Sequence, residues 1–213
     1  IMIDSAILSN IDLLDVIKKH QASGKDVTVV TKEGICDGVK QIDLAVKLEN
    51  GQITDMAVDY AAPEGYLAST GIFVVAKELL MHHVQEAVAR SLYRFERDFL
   101  LRQYQAGKLS LNVYCYEGVT LYNDSTEEYY QSNLAILNDD VRADLFNPAR
   151  PIYTRVRDQV PSYYCDGSDI VNCSVADGCM LDGFVKDSVL FRHVTIGAGC
   201  DIDKCLIMND TVV

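Results

Sequence analysis

The chain has 213 residues, 49% of them hydrophobic and 23% charged, with a formal net charge of −12 and a pI near 4.6. That length can bury a sizeable core, and the acidic balance argues against a nucleic-acid or anionic-membrane partner, because phosphate is repelled over most of the surface. No apolar run approaches the roughly 20 residues that span a bilayer, and Ile1-Met2-Ile3-Asp4 lacks the basic start of a signal peptide.

The expectation is an intracellular, cytoplasmic protein. Cys36, Cys115, Cys165, Cys173, Cys179, Cys200 and Cys205 are odd in number and contain no C-x-x-C, so they read as reduced thiols rather than a disulfide framework or a zinc site.

Ile1 to Ile3 is a short apolar run, and Leu13, Leu14, Val16, Ile17 and His20 follow at helical spacing up to a stop at Gly24. Val27-Thr28-Val29-Val30-Thr31 is a β-branched run of the kind buried in a parallel sheet, which makes the opening a strand–helix–strand unit. Two further strands flank Glu49-Asn50-Gly51-Gln52, where Asn50-Gly51 signals a two-residue hairpin. Gly71 to Val75 reads as a buried strand feeding a helix through Leu79, Leu80, His83, Val84, Ala87, Val88 and Leu92. Phe99-Leu100-Leu101 suggests another helix before Gly107, Leu111 to Tyr116 a strand, and Thr126 to Leu137 a helix with Ser125 as its cap. The front half is therefore α/β. Pro148, Pro151 and Pro161 mark a linker, so the domains read as 1–146, a linker over 147–169 and a second domain over 170–213.

Beyond the linker the period is six. Phe184, Leu190, Ile196, Ile202 and Met208 form one ladder, and Ser188, Val194, Cys200, Leu206 and Val212 a second. Two ladders in phase imply flat strands joined by turns and stacked coil on coil, a hexapeptide β-helix, with Gly178, Gly183, Gly197 and Gly199 at turns. The coil runs to Val213 without a cap and the chain opens inside a strand, so the sequence reads as an internal part of a longer chain.

Ser69-Thr70-Gly71-Ile72-Phe73-Val74, Tyr129-Tyr130-Gln131-Ser132-Asn133-Leu134, Arg150-Pro151-Ile152-Tyr153-Thr154 and the tail from Asp177-Gly178-Cys179 through Ile196-Gly197-Ala198-Gly199 share one order and spacing. Together they resemble the glucose-1-phosphate adenylyltransferases, also called ADP-glucose pyrophosphorylases, of bacterial glycogen synthesis. Asn10-Ile11-Asp12 and Arg150 to Val156 look most like the regulatory D-type glycogen-biosynthesis subunit. The resemblance implies part of a Rossmann-like nucleotidyltransferase domain followed by a left-handed parallel β-helix.

The family joins glucose 1-phosphate to the α-phosphate of ATP and expels pyrophosphate, which calls for charge neutralisation and alignment. The resemblance puts Ala6 and Tyr122 at the two magnesium-aspartate positions, and Val58-Asp59-Tyr60-Ala61 where a sugar-phosphate lysine belongs. A register shifted onto Asp4 keeps one ligand open; Asp124, two positions from Tyr122, reads as a turn or cap acid. Ser69 and Gly71 match a sugar-binding remnant. Arg150, Arg155 and Arg157 fall where family members hold an effector or an interface. The resemblance therefore implies a chain that is not itself catalytic, binds no cofactor, and works with a catalytic ADP-glucose pyrophosphorylase subunit. Magnesium is then needed only in that partner, within an oligomer that is a tetramer in the family.

Three other readings stay open: an active adenylyltransferase, a hexapeptide acyltransferase with His193 as base, and an assembly scaffold. His82-His83 reads as a solvated or helix-terminal pair, since adjacent helical residues face apart. Arg90, Arg94, Arg97 and Arg102 read as solvated helix faces.

Overall fold

The computed structural model describes residues 1–32, 42–60, 64–155 and 157–213; Cys36, Ala61 and Val156 lie outside the described residues. The chain divides into two compact units, one made of Ile1–Ile7 with Ile11–Gly118, the other of Leu8–Asn10 with Val119–Val213. Residues 119–146 thus group with the coil.

In the first unit, β1 (Met2–Ile3) is followed by β2 (Ile7–Ser9), whose last two residues belong to the second unit. Helix α1 (Leu13–Ser23) starts at Asp12, whose carboxylate accepts from the amides of Leu14 at 2.9 Å and Asp15 at 3.2 Å, and it stops at Gly24, as its sequence signals require. Strands β3 (Val27–Lys32), β4 (Ile42–Glu49), β5 (Gln52–Tyr60) and β6 (Tyr66–Val75) follow. The β4–β5 turn has Asn50 and Gly51 both at positive φ, 52° and 76°, the primed turn that matches strand twist. Then come α2 (Lys77–Arg90), a π-helical turn (Phe95–Leu101) running into α3 (Arg102–Gln105), and β7 (Leu111–Cys115).

The sheet order is β5-β4-β6-β3-β7, with β1 also on β6. β3 and β7 are parallel, whereas β1, β3 and β4 all run antiparallel to β6. The crossover β1–α1–β3 therefore joins parallel strands with β6 between them, not neighbours as the apolar runs alone imply. β6 is long enough to serve β4 along Tyr66–Ala68 and β1 along Ile72–Phe73 on one edge. Its two faces feed two cores. Phe73 and Val75 join Val27, Val29, Leu44, Val46, Phe99 and Leu100 on one side; Ile72 and Val74 join Val16, Val30 and Tyr116 on the other. Because both faces are covered, β3 is buried from Val27 to Thr31, which is why its sequence is a continuous β-branched run.

The second unit holds β8 (Thr120–Tyr122), which pairs with β2, then α4 (Thr126–Ala135) and α5 (Asp139–Leu145). Ser125 caps α4 as read from the sequence, its hydroxyl accepting from the Glu128 amide at 3.1 Å. Next come β9 (Tyr163–Tyr164), β10 (Asp169–Val171), β11 (Ser174–Val175), β12 (Met180–Leu181), β13 (Phe184–Lys186), β14 (Val189–Leu190), β15 (Thr195–Ile196), β16 (Asp201–Asp203) and β17 (Leu206–Ile207). They form three parallel sheets, β10-β13-β16, β11-β14-β17 and β9-β12-β15. This is a coil with three walls that begins at Tyr163, ahead of Ile170.

Leu190, Ile196 and Ile202, one residue from each wall, follow one another around the coil and are buried. The neighbours up a wall are different: Ile170, Val185 and Ile202 stack at separations of 15 and then 17 residues. The period of six thus marks steps around the coil. The separation is 15 rather than 17 because two residues, Asp182 and Gly183, join β12 to β13, whereas four, Gly197 to Cys200, join β15 to β16; the corner where Asn172, Asp187 and Lys204 stack in left-handed backbone at φ 50°, 47° and 50° keeps one length in every coil. Leu181, Val185, Leu190, Val194, Ile196, Ile202 and Cys179 fill the interior, and Met208 and Val212 are exposed.

Candidate functional site

In the first unit, the sequence-derived sugar-site residues and one metal-position residue meet at a break in β6. Gly71 lies at φ 73° between the stretch that pairs with β4 and the stretch that pairs with β1. Its amide donates to the Ser69 hydroxyl at 3.1 Å, and its carbonyl accepts from the Asp4 amide at 3.0 Å. A Cβ at Gly71 would lie 2.7 Å from Ile7 Cδ1 and 2.8 Å from Asp4 Cβ, so the β1–β2 turn crosses β6 at the one residue type that admits it. Thr70 anchors the same stretch by donating to the Val30 carbonyl at 3.1 Å from a buried position. Ala6 sits in that turn, its amide donating to Asp4 Oδ1 at 3.2 Å.

Asp4, Ala6, Ser69 and Gly71 are therefore brought together. Asp59, at the end of β5 near the lysine position of the family resemblance, has φ 56° and accepts from Arg94 Nη2 at 2.6 Å.

Tyr122 ends β8 in the second unit; its carbonyl accepts from the Ser132 hydroxyl at 2.8 Å, which ties β8 to α4. At the positions the resemblance assigns to magnesium ligands, Ala6 offers a methyl group and Tyr122 a phenol. Neither supplies the carboxylate oxygen that Mg²⁺ takes from a protein, so these two side chains do not fit the ion. Among the described residues no three His, Cys, Asp or Glu side chains gather in a way that could hold a metal.

Arg150 is held within the second unit by Asp144, Nη2 to Oδ1 at 3.3 Å, while Asp144 Oδ2 accepts from the Val119 amide at 2.6 Å. Asn10, legible in the sequence only as part of a family motif, donates from Nδ2 to the carbonyls of Leu145 at 2.7 Å and Arg150 at 2.8 Å. Arg155 and Arg157 are exposed. Arg150 therefore anchors its own unit, whereas the other two arginines face solvent.

His193, the base required by the acyltransferase reading, lies in a left-handed corner at φ 58°, with Nδ1 3.1 Å from Asp210 Oδ1 and Nε2 2.8 Å from Gln159 Oε1. Both ring nitrogens are occupied. Among the helix arginines, Arg90 pairs with Glu86, Arg94 with Asp59 and Arg97 with Asp98.

His83 departs from the sequence expectation of a solvated pair. Its side chain is buried and stacks on Phe99 with ring centroids 4.2 Å apart, next to Phe95 at 6.1 Å, and burial pushes its imidazole below the usual range. His82 beside it is exposed. Adjacency on a helix says that the two rings diverge; which one meets an aromatic cluster depends on the π-helical turn beyond it.

No protein-family model matches the chain. The glycogen biosynthesis protein GlgD of Bacillus subtilis is 29% identical to it over 92% of this chain and 47% of its own length. The glucose-1-phosphate adenylyltransferase of Acetivibrio thermocellus is 26% identical over 91% of this chain and 46% of its own. The chain is a relative of the glucose-1-phosphate adenylyltransferases and of GlgD. A GlgD from Geobacillus stearothermophilus reaches 43% identity over a shorter stretch, 32% of this chain and 20% of that protein. The resemblance carried by the sequence motifs, to this family and to its D-type member, is borne out. The chain spans about half the length of the curated relatives it matches. Among the described residues no helix is long and apolar enough to cross a membrane.

Proposed function

We propose that this chain is part of a regulatory, non-catalytic subunit of ADP-glucose pyrophosphorylase in bacterial glycogen biosynthesis, working in the cytoplasm. The observation that carries the reading is the pair Ala6 and Tyr122 at the family's magnesium-aspartate positions. Without those carboxylates there is no metal clamp to neutralise the triphosphate as the sugar phosphate attacks. The reading gains support from Asp59, paired with Arg94 where the family resemblance places a phosphate-binding lysine. On this reading the ADP-glucose chemistry and its magnesium belong to a catalytic partner subunit, and the selected property of this chain is its effect on that partner within a hetero-oligomer. Exposed Arg155 and Arg157 are candidates for effector or partner contact, and Ser69 and Gly71 for a retained sugar-binding surface. The parallel coil corresponds to the left-handed hexapeptide β-helix of the family.

The full-length chain is expected to show no turnover of ATP and glucose 1-phosphate alone, and to change the rate or effector response of a catalytic subunit on mixing. Absence of any complex, together with unchanged kinetics of that subunit, overturns the proposal.

One observation favours a second reading, an active adenylyltransferase. Asp4 brings a carboxylate to the same turn as Ala6, against Gly71. Magnesium-dependent binding of ADP-glucose, abolished by Asp4→Asn, would establish it.

A further inference from the structure

A cavity of about 290 Å³ lies in the first unit between α2 and the helix formed by the π-helical turn and α3, away from the Gly71 junction in sequence and in its lining residues. Leu79, Phe99 and Leu109 form its apolar wall, and His83, Gln103 and Lys108 supply its polar groups. His83 is 8% exposed; no hydrogen bond to another described residue engages its ring, and its nitrogens are not among the buried polar atoms sealed off without a partner, so they open to the cavity. The ring is held by its stack on Phe99 while its nitrogens open to the cavity, so they are free to bond whatever fills that space. Desolvation keeps that ring neutral, with one N–H to donate and one nitrogen to accept.

Charge decides the class of ligand. Glu86 also lines the cavity but is engaged by Arg90 at 3.2 Å. Lys108 has no acidic partner among the described residues, which leaves a cation facing the space. The volume lies just below the roughly 300–1,000 Å³ of small-molecule sites, enough for one ring or a short branched chain and too small for a nucleotide. Phe99 belongs to the π-helical turn, a rare conformation that recurs at functional sites.

We propose that this cavity is a binding site for a small monocarboxylate with an apolar body, its ring or branched chain against Leu79, Phe99 and Leu109, its carboxylate on Lys108, and His83 and Gln103 donating to it.

Benzoate is the probe, titrated into the whole chain carrying ¹⁵N-labelled histidine, with benzyl alcohol as the uncharged match. Saturable movement of the His83 ring resonances by benzoate below about 10 mM is expected, with benzyl alcohol weaker. Exposed Lys108→Ala should weaken benzoate binding about tenfold, the loss of one charge-assisted hydrogen bond, and Gln103→Leu should weaken it less. The Lys108 and Gln103 variants keep the test open if His83→Phe does not fold. Failure of benzoate to move His83, or equal binding of benzoate and benzyl alcohol, or unchanged affinity in Lys108→Ala, overturns the proposal.

Discussion

Substituting alanine at Gly71 and, separately, at Gly24 separates backbone strain from crowding at the β6 junction. Both glycines are left-handed, at φ 73° and 61°, so each alanine incurs about 1 kcal/mol for that conformation. At Gly24 the new Cβ meets nothing within 4 Å, and the cost stops there. At Gly71 it lands 2.7 Å from Ile7 Cδ1 and 2.8 Å from Asp4 Cβ. The isoleucine tip can swing aside. Asp4 Cβ cannot, because its backbone amide is bonded to the Gly71 carbonyl at 3.0 Å, so the turn itself must shift. Overpacking of that kind costs about 1–3 kcal/mol, for a total near 2–4 kcal/mol against about 1 for Gly24→Ala. Urea unfolding followed by far-UV circular dichroism reads the difference. With slopes of about 1–3 kcal/mol per molar urea, the Gly71→Ala midpoint should fall by about 1 M more than that of Gly24→Ala. Hydrogen exchange across Tyr66–Val75 should rise in the first variant only. Equal midpoints for the two variants would refute the close approach of the β1–β2 turn to β6.

Asn10→Ala should destabilise the second unit by about 1–3 kcal/mol, since two carbonyls lose their donor, and it should raise hydrogen exchange in α5; an unchanged melting profile contradicts the clamp. Asp26 is held below the usual carboxylate range by the Ser110 hydroxyl and amide. A depressed folded pKa contributes stability above the unfolded value near 3.9 that is lost as pH falls through the folded pKa. Asp26→Asn should therefore lower stability at neutral pH and flatten its decline in acid, and parallel pH profiles for the two proteins would argue against that role.

Local signals proved readable wherever one short stretch carries its own instructions. Asn50-Gly51 states a primed turn, Gly24 a helix stop and Ser125 a cap, because each acts through its own backbone or the next turn. The coil was legible as a period, but its geometry was not: the sequence shows steps around the walls, while the stacking distance depends on corner length, two residues at Asp182-Gly183 against four from Gly197 to Cys200. The placement of β1 beside β6 escaped because pairing on a shared edge depends on the length of β6, remote in sequence. The site was legible in part for the same reason. Ser69 and Gly71 carried a family motif, but their contact with Asp4 is made by tertiary structure, as is the burial of His83 against Phe99.

The claim that this chain regulates rather than catalyses is tested most directly by steady-state kinetics of the full-length protein with ATP, glucose 1-phosphate and magnesium, alone and mixed with a catalytic subunit. The protein alone is expected to yield no ADP-glucose, and the mixture an altered kcat/KM or effector response. Turnover by the protein alone at the rate of an active relative, lost on Asp4→Asn, would contradict it.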